Sequence, residues 1–400
     1  MKRVIGILIM LCLLCKVCSV SNCVLAGKTK DNVANNAKAG VEITAQAAVL
    51  IEGSTGEIIY EKNKDTKLRP ASITKIMTML LIFEAIHDGK ISLTDEVCVS
   101  EHAASMGGSQ VYLEPYETQT VDTMLKCISI VSANDACTAM SEFVAGSEEE
   151  FVKRMNDKAK ELGMVNTHFV NCCGLDVENH YSTAYDVALM SKELITKYPE
   201  IKNYSTVWMD TITHVTRKGS TEFGLSNTNK LIKTYNGITG LKTGSTSLAK
   251  YCLSATARRN DMDMIAVIMA APETKVRFQE AAKLLDYGFA NCSVYKDDHT
   301  DLILEPLKVE KGVSQSITYK PEKVFSYVCM KDMQSDLITK EIKLNTSLKA
   351  PINLNQKVGE IQYYYNGQII GSIDLVSEQE VKKATFKDYF GRVFKNFLMN

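Results

Sequence analysis

The chain has 400 residues, a formal net charge of −1, 45% apolar residues and 23% charged ones. That length suggests two domains, and the balance is that of an ordinary soluble globular protein. Near-zero charge gives no electrostatic case for a nucleic-acid partner, and no tandem repeat or low-complexity tract is present.

The N-terminus reads as an export signal. Lys2 and Arg3 precede an apolar run from Val4 to Cys15, and Val24-x-Ala26 offers a small-residue cleavage site, so residues 1–26 are expected to be a signal peptide. The run is too short to span a bilayer comfortably. Four of the twelve cysteines lie in this segment. The other eight (Cys98, Cys127, Cys137, Cys172, Cys173, Cys252, Cys292 and Cys329) have no C-x-x-C spacing, which argues against a zinc site. Cys172 and Cys173 are adjacent. A vicinal disulfide would be strained, so two packed thiols are expected.

Residues 45–63, "AQAAVLIEGSTGEIIYEKN", give two strands around a glycine turn. "SITKIMTMLLIFEAIHDG" (72–89) reads as a helix with Ser72 near its start and Gly89 just past its end. Residues 118–146 read as two helical pieces broken near Ser132, and residues 148–164 and 182–198 as amphipathic helices. Further on, "NGITGLKTG" reads as a glycine-rich turn, with Lys242-Thr243-Gly244 opening a strand. Residues 251–259 and 262–272 form two more strands, and 275–290 a closing helix. Residues 42–291 therefore carry strands at both ends and helices between, an α+β pattern. After Cys292 the sequence alternates in twos, and Asn366-Gly367 signals a tight hairpin, so 294–377 is expected to be a small all-β domain.

The last stretch returns to helical spacing. Phe386, Tyr389, Phe390, Val393, Phe394, Phe397 and Leu398 form one stripe, with Lys382, Lys383, Lys387, Arg392 and Lys395 off it or leading into it. Residues 382–400 are too short and too charged to span a bilayer. Their make-up is that of a helix lying in an anionic membrane surface.

Ser72-x-x-Lys75 alone says little. About two such matches are expected by chance in a chain of this size, and Ser247…Lys250 and Ser293…Lys296 are two others. Its company raises its weight. Ser132-Ala133-Asn134 lies at a helix break, and Lys242-Thr243-Gly244 follows in the order of the S-x-x-K, S-D-N and K-T-G signature. With "AAVLIEGSTGEIIYEKN", "GGSQVYLEP", "LGMVNTHFVN", "HYSTAYDVALMS", "NTNKLI" and "VRFQEAAKLLDYGF", essentially the whole region 42–291 resembles the low-molecular-mass penicillin-binding proteins that act as D-alanyl-D-alanine carboxypeptidases.

The resemblance implies a β-lactamase/transpeptidase-like catalytic domain and a serine peptidase without metal or cofactor. It would act on peptidoglycan stem peptides ending in D-Ala-D-Ala, be inhibited by β-lactams, and work outside the cytoplasmic membrane. Ser72, near a helix N-terminus, would be the nucleophile and Lys75, one turn on, its base, disfavoured as an ammonium by apolar surroundings and by Lys242. Ser132 would pass the proton to the leaving amine, and Asn134 would hold the substrate's peptide amide. Lys242 and Thr243, beside Gly244, would attract the terminal carboxylate. The Ser72 and Ser245 N–H groups would form the oxyanion hole, and Arg277 would help bind the carboxylate. The sequence departs from the family pattern at Ala133, at Cys173 where histidine is common, and at Lys250 where glycine is usual. A serine β-lactamase and a catalytically inactive wall-binding module are the alternatives. Against the first, Glu161 and Asn166 lack the Glu-x-x-x-Asn spacing of a deacylating glutamate.

Overall fold

A computed structural model of the protein describes residues 40–398, apart from 218 and 346, and omits the side chains of 395–398. The expected signal peptide lies outside the described residues. In chain order, β1 (Ala47–Glu52) and β2 (Ile58–Lys62) are followed by helices α1 (Lys75–His87), α2 (Asn134–Ala145), α3 (Glu148–Glu161) and α4 (Ala184–Lys197). Then come a hairpin, β3 (Met209–Thr216) and β4 (Gly219–Ser226), three strands β5 (Ile238–Thr246), β6 (Lys250–Arg259) and β7 (Met262–Ala271), and helix α5 (Thr274–Asn291).

Five strands make one antiparallel sheet in the order β2-β1-β7-β6-β5. Its centre is buried on both faces, which is why β1 and β7 read as apolar runs rather than alternating ones. Ile265, Val267 and Met269 on one face of β7 join the main core with α1, α2 and α4. On the other face Leu50 and Met264 meet α5 at Gly288. Each large apolar side chain withdrawn from water contributes about 1.5–3 kcal/mol, so this helix–sheet–helix sandwich holds the site's two walls together.

The sequence reading needs correction at β5. The glycine-rich stretch is not a turn before a strand. It is the strand, nine residues from Ile238, and Lys-Thr-Gly lies in its second half. The β3–β4 hairpin was not anticipated at all.

From Cys292 onward the described residues form strands and turns, with one 3-10 turn at Ser335–Leu337, until the last helix. Strands β8 (Cys292–Asp297) and β9 (Phe325–Met330) pair with each other. Strands β10 (Thr339–Leu344), β11 (Lys357–Tyr365) and β12 (Gln368–Ser377), with Tyr319–Pro321, form a four-stranded sheet. Asn366-Gly367 makes the expected two-residue turn, with positive φ at both residues (48° and 76°). Phe325 stacks on Tyr363 with ring centroids 3.6 Å apart at the centre of this second core. Helix α6 (Phe386–Leu398) begins four residues later than 382, because Val381 still pairs with Ile352 and Lys383 with Gly312.

Candidate active site

A 3-10 turn, Ala71–Thr74, leads into α1 and presents Ser72. Ala71 is held at φ 49°, a left-handed conformation that costs a non-glycine residue about 1–2 kcal/mol. The loop 171–175 is wedged beneath the turn. Gly174 has φ +85°, and a Cβ there would collide with the Ala71 carbonyl. Asn171 Oδ1 fixes the loop by accepting from the N–H groups of Cys173 (3.2 Å), Gly174 (2.7 Å) and Leu175 (3.0 Å).

Lys75 is fully buried one turn behind Ser72. Its Nζ donates to Asn134 Oδ1 (2.6 Å), to the Cys173 carbonyl (2.8 Å) and, at longer range, to Ser72 Oγ (3.4 Å). All three donors of an ammonium are thus directed at oxygen, and one of those oxygens is the hydroxyl.

Ser132 ends a π-helical turn, Cys127–Val131, in the left-handed conformation (φ 67°, ψ 32°), which breaks the helix where the sequence predicted. Its Oγ is buried and has no hydrogen-bond partner among the described residues. Asn134 opens α2. Its N–H donates to the Ser109 carbonyl (2.7 Å) and its Nδ2 to the Gly107 carbonyl (2.6 Å), so the loop 107–113 is tied to this motif.

The facing wall is β5. Gly244 lies against the nucleophile turn: a Cβ there would stand 2.9 Å from both the Ser72 and Ile73 nitrogens, so only glycine lets the strand approach. Thr243 Oγ1 hydrogen-bonds Thr228 Oγ1 (2.6 Å), and Ser245 is exposed at the strand end. Lys242 is buried, donating to the Thr243 carbonyl (3.1 Å). Burial first, then the charges of Lys75 and Arg277, push its pKa well down. Neither Lys75 nor Lys242 has a carboxylate partner among the described residues' ion pairs.

Arg277, in the first turn of α5, donates from Nη1 to the Gly244 (2.9 Å) and Cys252 (3.3 Å) carbonyls, while its buried Nε is unpartnered among the described residues. It braces the strand that meets Ser72, a contact the sequence reading did not foresee. Lys250 sits at the β5–β6 turn with φ 55°, exposed.

Two further residues escaped the sequence reading. Asp135 is buried and its carboxylate accepts from the N–H groups of Val111 (3.1 Å) and Leu113 (3.1 Å), fixing the same loop that Asn134 holds. Burial raises its pKa, against those hydrogen bonds. His180 is buried too. Val170 N–H donates to its Nδ1 (3.0 Å), so Nε2 carries the proton and donates to Thr74 Oγ1 (3.0 Å). His180 lies inside a quoted motif and Asp135 directly follows Ser132-Ala133-Asn134, but their roles exist only in three dimensions.

Burial, with the charges of His168 and Arg69, pushes the His180 imidazole down to about 4. Above pH 6.5 it is neutral folded or unfolded, and stability does not depend on it. Between pH 6.5 and 4 the unfolded chain binds a proton that the native one refuses. Stability is expected to fall there by up to about 3 kcal/mol. Urea unfolding at pH 7 and pH 4.5 checks this: the drop should shrink in His180→Asn, and an equal drop in both proteins would refute it.

A hydroxyl beside a buried amine, faced by a second amine on a sheet edge, defines a class: serine acyl-transfer enzymes of the penicillin-recognising kind. Residues 32–273 match the family described as D-alanyl-D-alanine carboxypeptidase, and residues 289–383 match the penicillin-binding protein 5 C-terminal domain. The chain belongs to the D-alanyl-D-alanine carboxypeptidase family, and is a serine peptidase hydrolase of the cell wall. It is 45% identical over 348 residues to D-alanyl-D-alanine carboxypeptidase DacF of Bacillus subtilis (strain 168), covering 87% of this chain and 88% of that one. With D-alanyl-D-alanine carboxypeptidase DacC of Escherichia coli (strain K12) it shares 33% over 364 residues, covering 89% and 88%. The crystal structure of penicillin-binding protein 5 from Haemophilus influenzae superposes with a TM-score of 0.74 at 30% identity, covering 86% of this chain and 98% of that one.

Proposed function

We propose that the protein removes the terminal D-alanine from peptidoglycan stem pentapeptides through an acyl-enzyme on Ser72, and that β-lactams trap the same acyl-enzyme. The observation that carries this reading is the placement of the Lys75 amine between Ser72 Oγ, Asn134 Oδ1 and the Cys173 carbonyl. Burial, then the charges of Lys75 and Arg277, weigh against the charged form of Lys242. A substrate carboxylate arriving there restores its charge. Lys75 is then the amine facing the hydroxyl, and it takes the Ser72 proton as the oxygen attacks the carbonyl carbon. The Ser72 and Ser245 N–H groups receive the oxyanion, and Ser132, whose Oγ is free of other partners among the described residues, hands a proton to the departing D-alanine. Asn134 turns to the substrate's peptide amide, Thr243 and Gly244 line the carboxylate's strand, and Arg277 supports its binding by bracing Gly244. Incubation with a pentapeptide stem, followed by mass measurement, tests this: loss of one alanine residue with release of free D-alanine is expected. Rapid turnover of fluorescent penicillin would favour a β-lactamase instead, and absence of any label an inactive module.

We further propose that the chain is exported and held on the outer face of the cytoplasmic membrane by its last helix. In support, α6 leaves its apolar stripe uncovered: Phe386 is 85% exposed, Phe390 63%, Val393 69% and Phe394 56%. Phe386, Phe390 and Phe394 stack at four-residue spacing along one face. No helix among the described residues is long and apolar enough to cross a membrane. A cut after Ala384 spares the buried Val381 and its pairing with Ile352. Such a truncated protein is expected to bind penicillin as before, yet no longer float with anionic vesicles. The full-length protein should float at low salt and less at high salt. Equal flotation of both proteins would defeat the anchor.

A further inference from the structure

Behind the Lys75 amine lies a second cluster. Cys137, Cys172 and Cys173 come from two elements, α2 and the loop under the nucleophile turn, and their three Sγ atoms all lie within 4.8 Å of one another. All three side chains are buried, and all three are free thiols. Cys172 Sγ and Cys173 Sγ are 3.5 Å apart, which fits the expected packed thiols rather than a bond. Thr138 Oγ1 faces the cluster, 3.5 Å from Cys173 Sγ and 3.8 Å from Cys172 Sγ. Among the described residues this is the one group of three or more cysteine, histidine or acidic side chains with ligand atoms so close. Chain spacing hides it: Cys137 is 35 residues from Cys172.

We propose that Cys137, Cys172 and Cys173 form a binding site for a soft divalent d10 cation, of the zinc or cadmium class, which tunes the neighbouring active-site lysine.

The donor set is all sulfur, the choice of such ions, and the Thr138 hydroxyl is placed to complete a fourth position. Convergence of three thiols is what a metal needs. A disulfide would use only two, and the adjacent pair is the strained choice. The charge also balances. Three S–H bonds are replaced by three metal–sulfur bonds, up to three protons leave to solvent, and no electron is transferred. A divalent ion with three thiolates carries one net negative charge.

The link to the chemistry is short. The Cys173 carbonyl accepts from Lys75 Nζ at 2.8 Å, and Cys173 Sγ contacts the Asn134 carbonyl at 3.5 Å. Drawing Cys173 Sγ onto an ion shifts the Cys173 carbonyl and the contact with the Asn134 backbone that position Lys75 Nζ, so loading is expected to slow acylation. The coupling rests on Lys75 acting as the base, but the binding does not.

Cadmium(II) titration of the purified full-length protein separates the two. One ion per chain is expected, with thiolate-to-cadmium charge-transfer absorbance and a raised unfolding midpoint. Cys137→Ser and Cys173→Ser should each weaken binding more than roughly 100-fold, since even the outer partners of a metal ligand are worth about 10–100-fold. Cys98→Ser, at an exposed cysteine elsewhere, should bind normally. If a serine variant does not fold, the cadmium NMR shift of the unsubstituted protein still counts the sulfur ligands. Loaded protein should label more slowly with fluorescent penicillin, and the difference should vanish in Cys173→Ser. No absorbance, absorbance that survives both substitutions, or air-formed loss of a hydrogen pair by mass with thiols consumed would each overturn the site. Unchanged labelling of the fully loaded protein would overturn the coupling alone.

Discussion

Ser72→Ala is expected to abolish covalent labelling by penicillin and release of D-alanine, while leaving the fold intact. The Ser72 hydroxyl makes one long contact, 3.4 Å to Lys75 Nζ, so its loss costs at most about 1 kcal/mol of stability. Its chemical loss is total, because no other hydroxyl combines the same neighbours. Ser132 Oγ is the strongest competitor, being buried on the opposite wall, but it contacts no amine among the described residues. Ser247, the serine of another Ser-x-x-Lys match, lies in the exposed β5–β6 turn, with Lys250 exposed beside it. Intact-mass measurement should find one penicillin on the unsubstituted protein and none on the variant. Peptide mapping that placed the adduct on Ser132 or Ser247 would remove Ser72 from its role.

The contrast between Ser72 and the other Ser-x-x-Lys matches shows what a motif can carry. Three short motifs in the right order located both walls, because each sits where local chemistry is visible: a helix start, a helix break and a strand. The break at Ser132 was legible from helical periodicity that stops and restarts, and the structure explains it by a left-handed residue between a π-turn and α2. The catalytic half was read as α+β because its central strands are apolar on both faces and its helices amphipathic.

What was misread had physical causes. Glycines in residues 236–244 mimic turn chemistry, but Gly244 is there to let a strand pass within contact of the Ser72 backbone. The first strand of the β3–β4 hairpin does alternate in burial, but a histidine, His214, fills an inward place and Val215 an outward one, and the second strand is mostly exposed, so no apolar alternation in the sequence betrays it. Asp135, His180 and the three-cysteine cluster each need at least one partner 22 or more residues away: Leu113 and Val111 for Asp135, Thr74 for His180, and Cys137 for the Cys172–Cys173 pair. Arg277, which family likeness puts near the substrate carboxylate, also bonds the Gly244 and Cys252 carbonyls, a bracing contact with no signal in the sequence.

Lys75→Arg is expected to be nearly as damaging to acylation as Lys75→Ala, each by about 100- to 10,000-fold, the range of a lost general base. The comparison separates two roles that the geometry allows. As a brace, Lys75 joins Asn134 on one wall to the Cys173 carbonyl on the loop below. An arginine keeps the charge and offers more donors, so a brace would be partly restored by it. As a base, Lys75 must part with a proton, which a guanidinium does not do in any working pH range. Removal by alanine also strands two buried acceptors, costing about 1–3 kcal/mol in stability, so its kinetic loss alone is ambiguous. The pH profile adds a second readout. In the unsubstituted protein the acylation rate should rise with pH on its acidic limb, as the amine that receives the Ser72 proton becomes available. In Lys75→Arg that limb should flatten at a low rate. Second-order rates with fluorescent penicillin between pH 5 and 9 measure both quantities. Substantial acylation by Lys75→Arg, with the acidic limb preserved, would assign the base to another group, and Lys242 on β5, whose pKa burial pushes well down, would be the next to substitute.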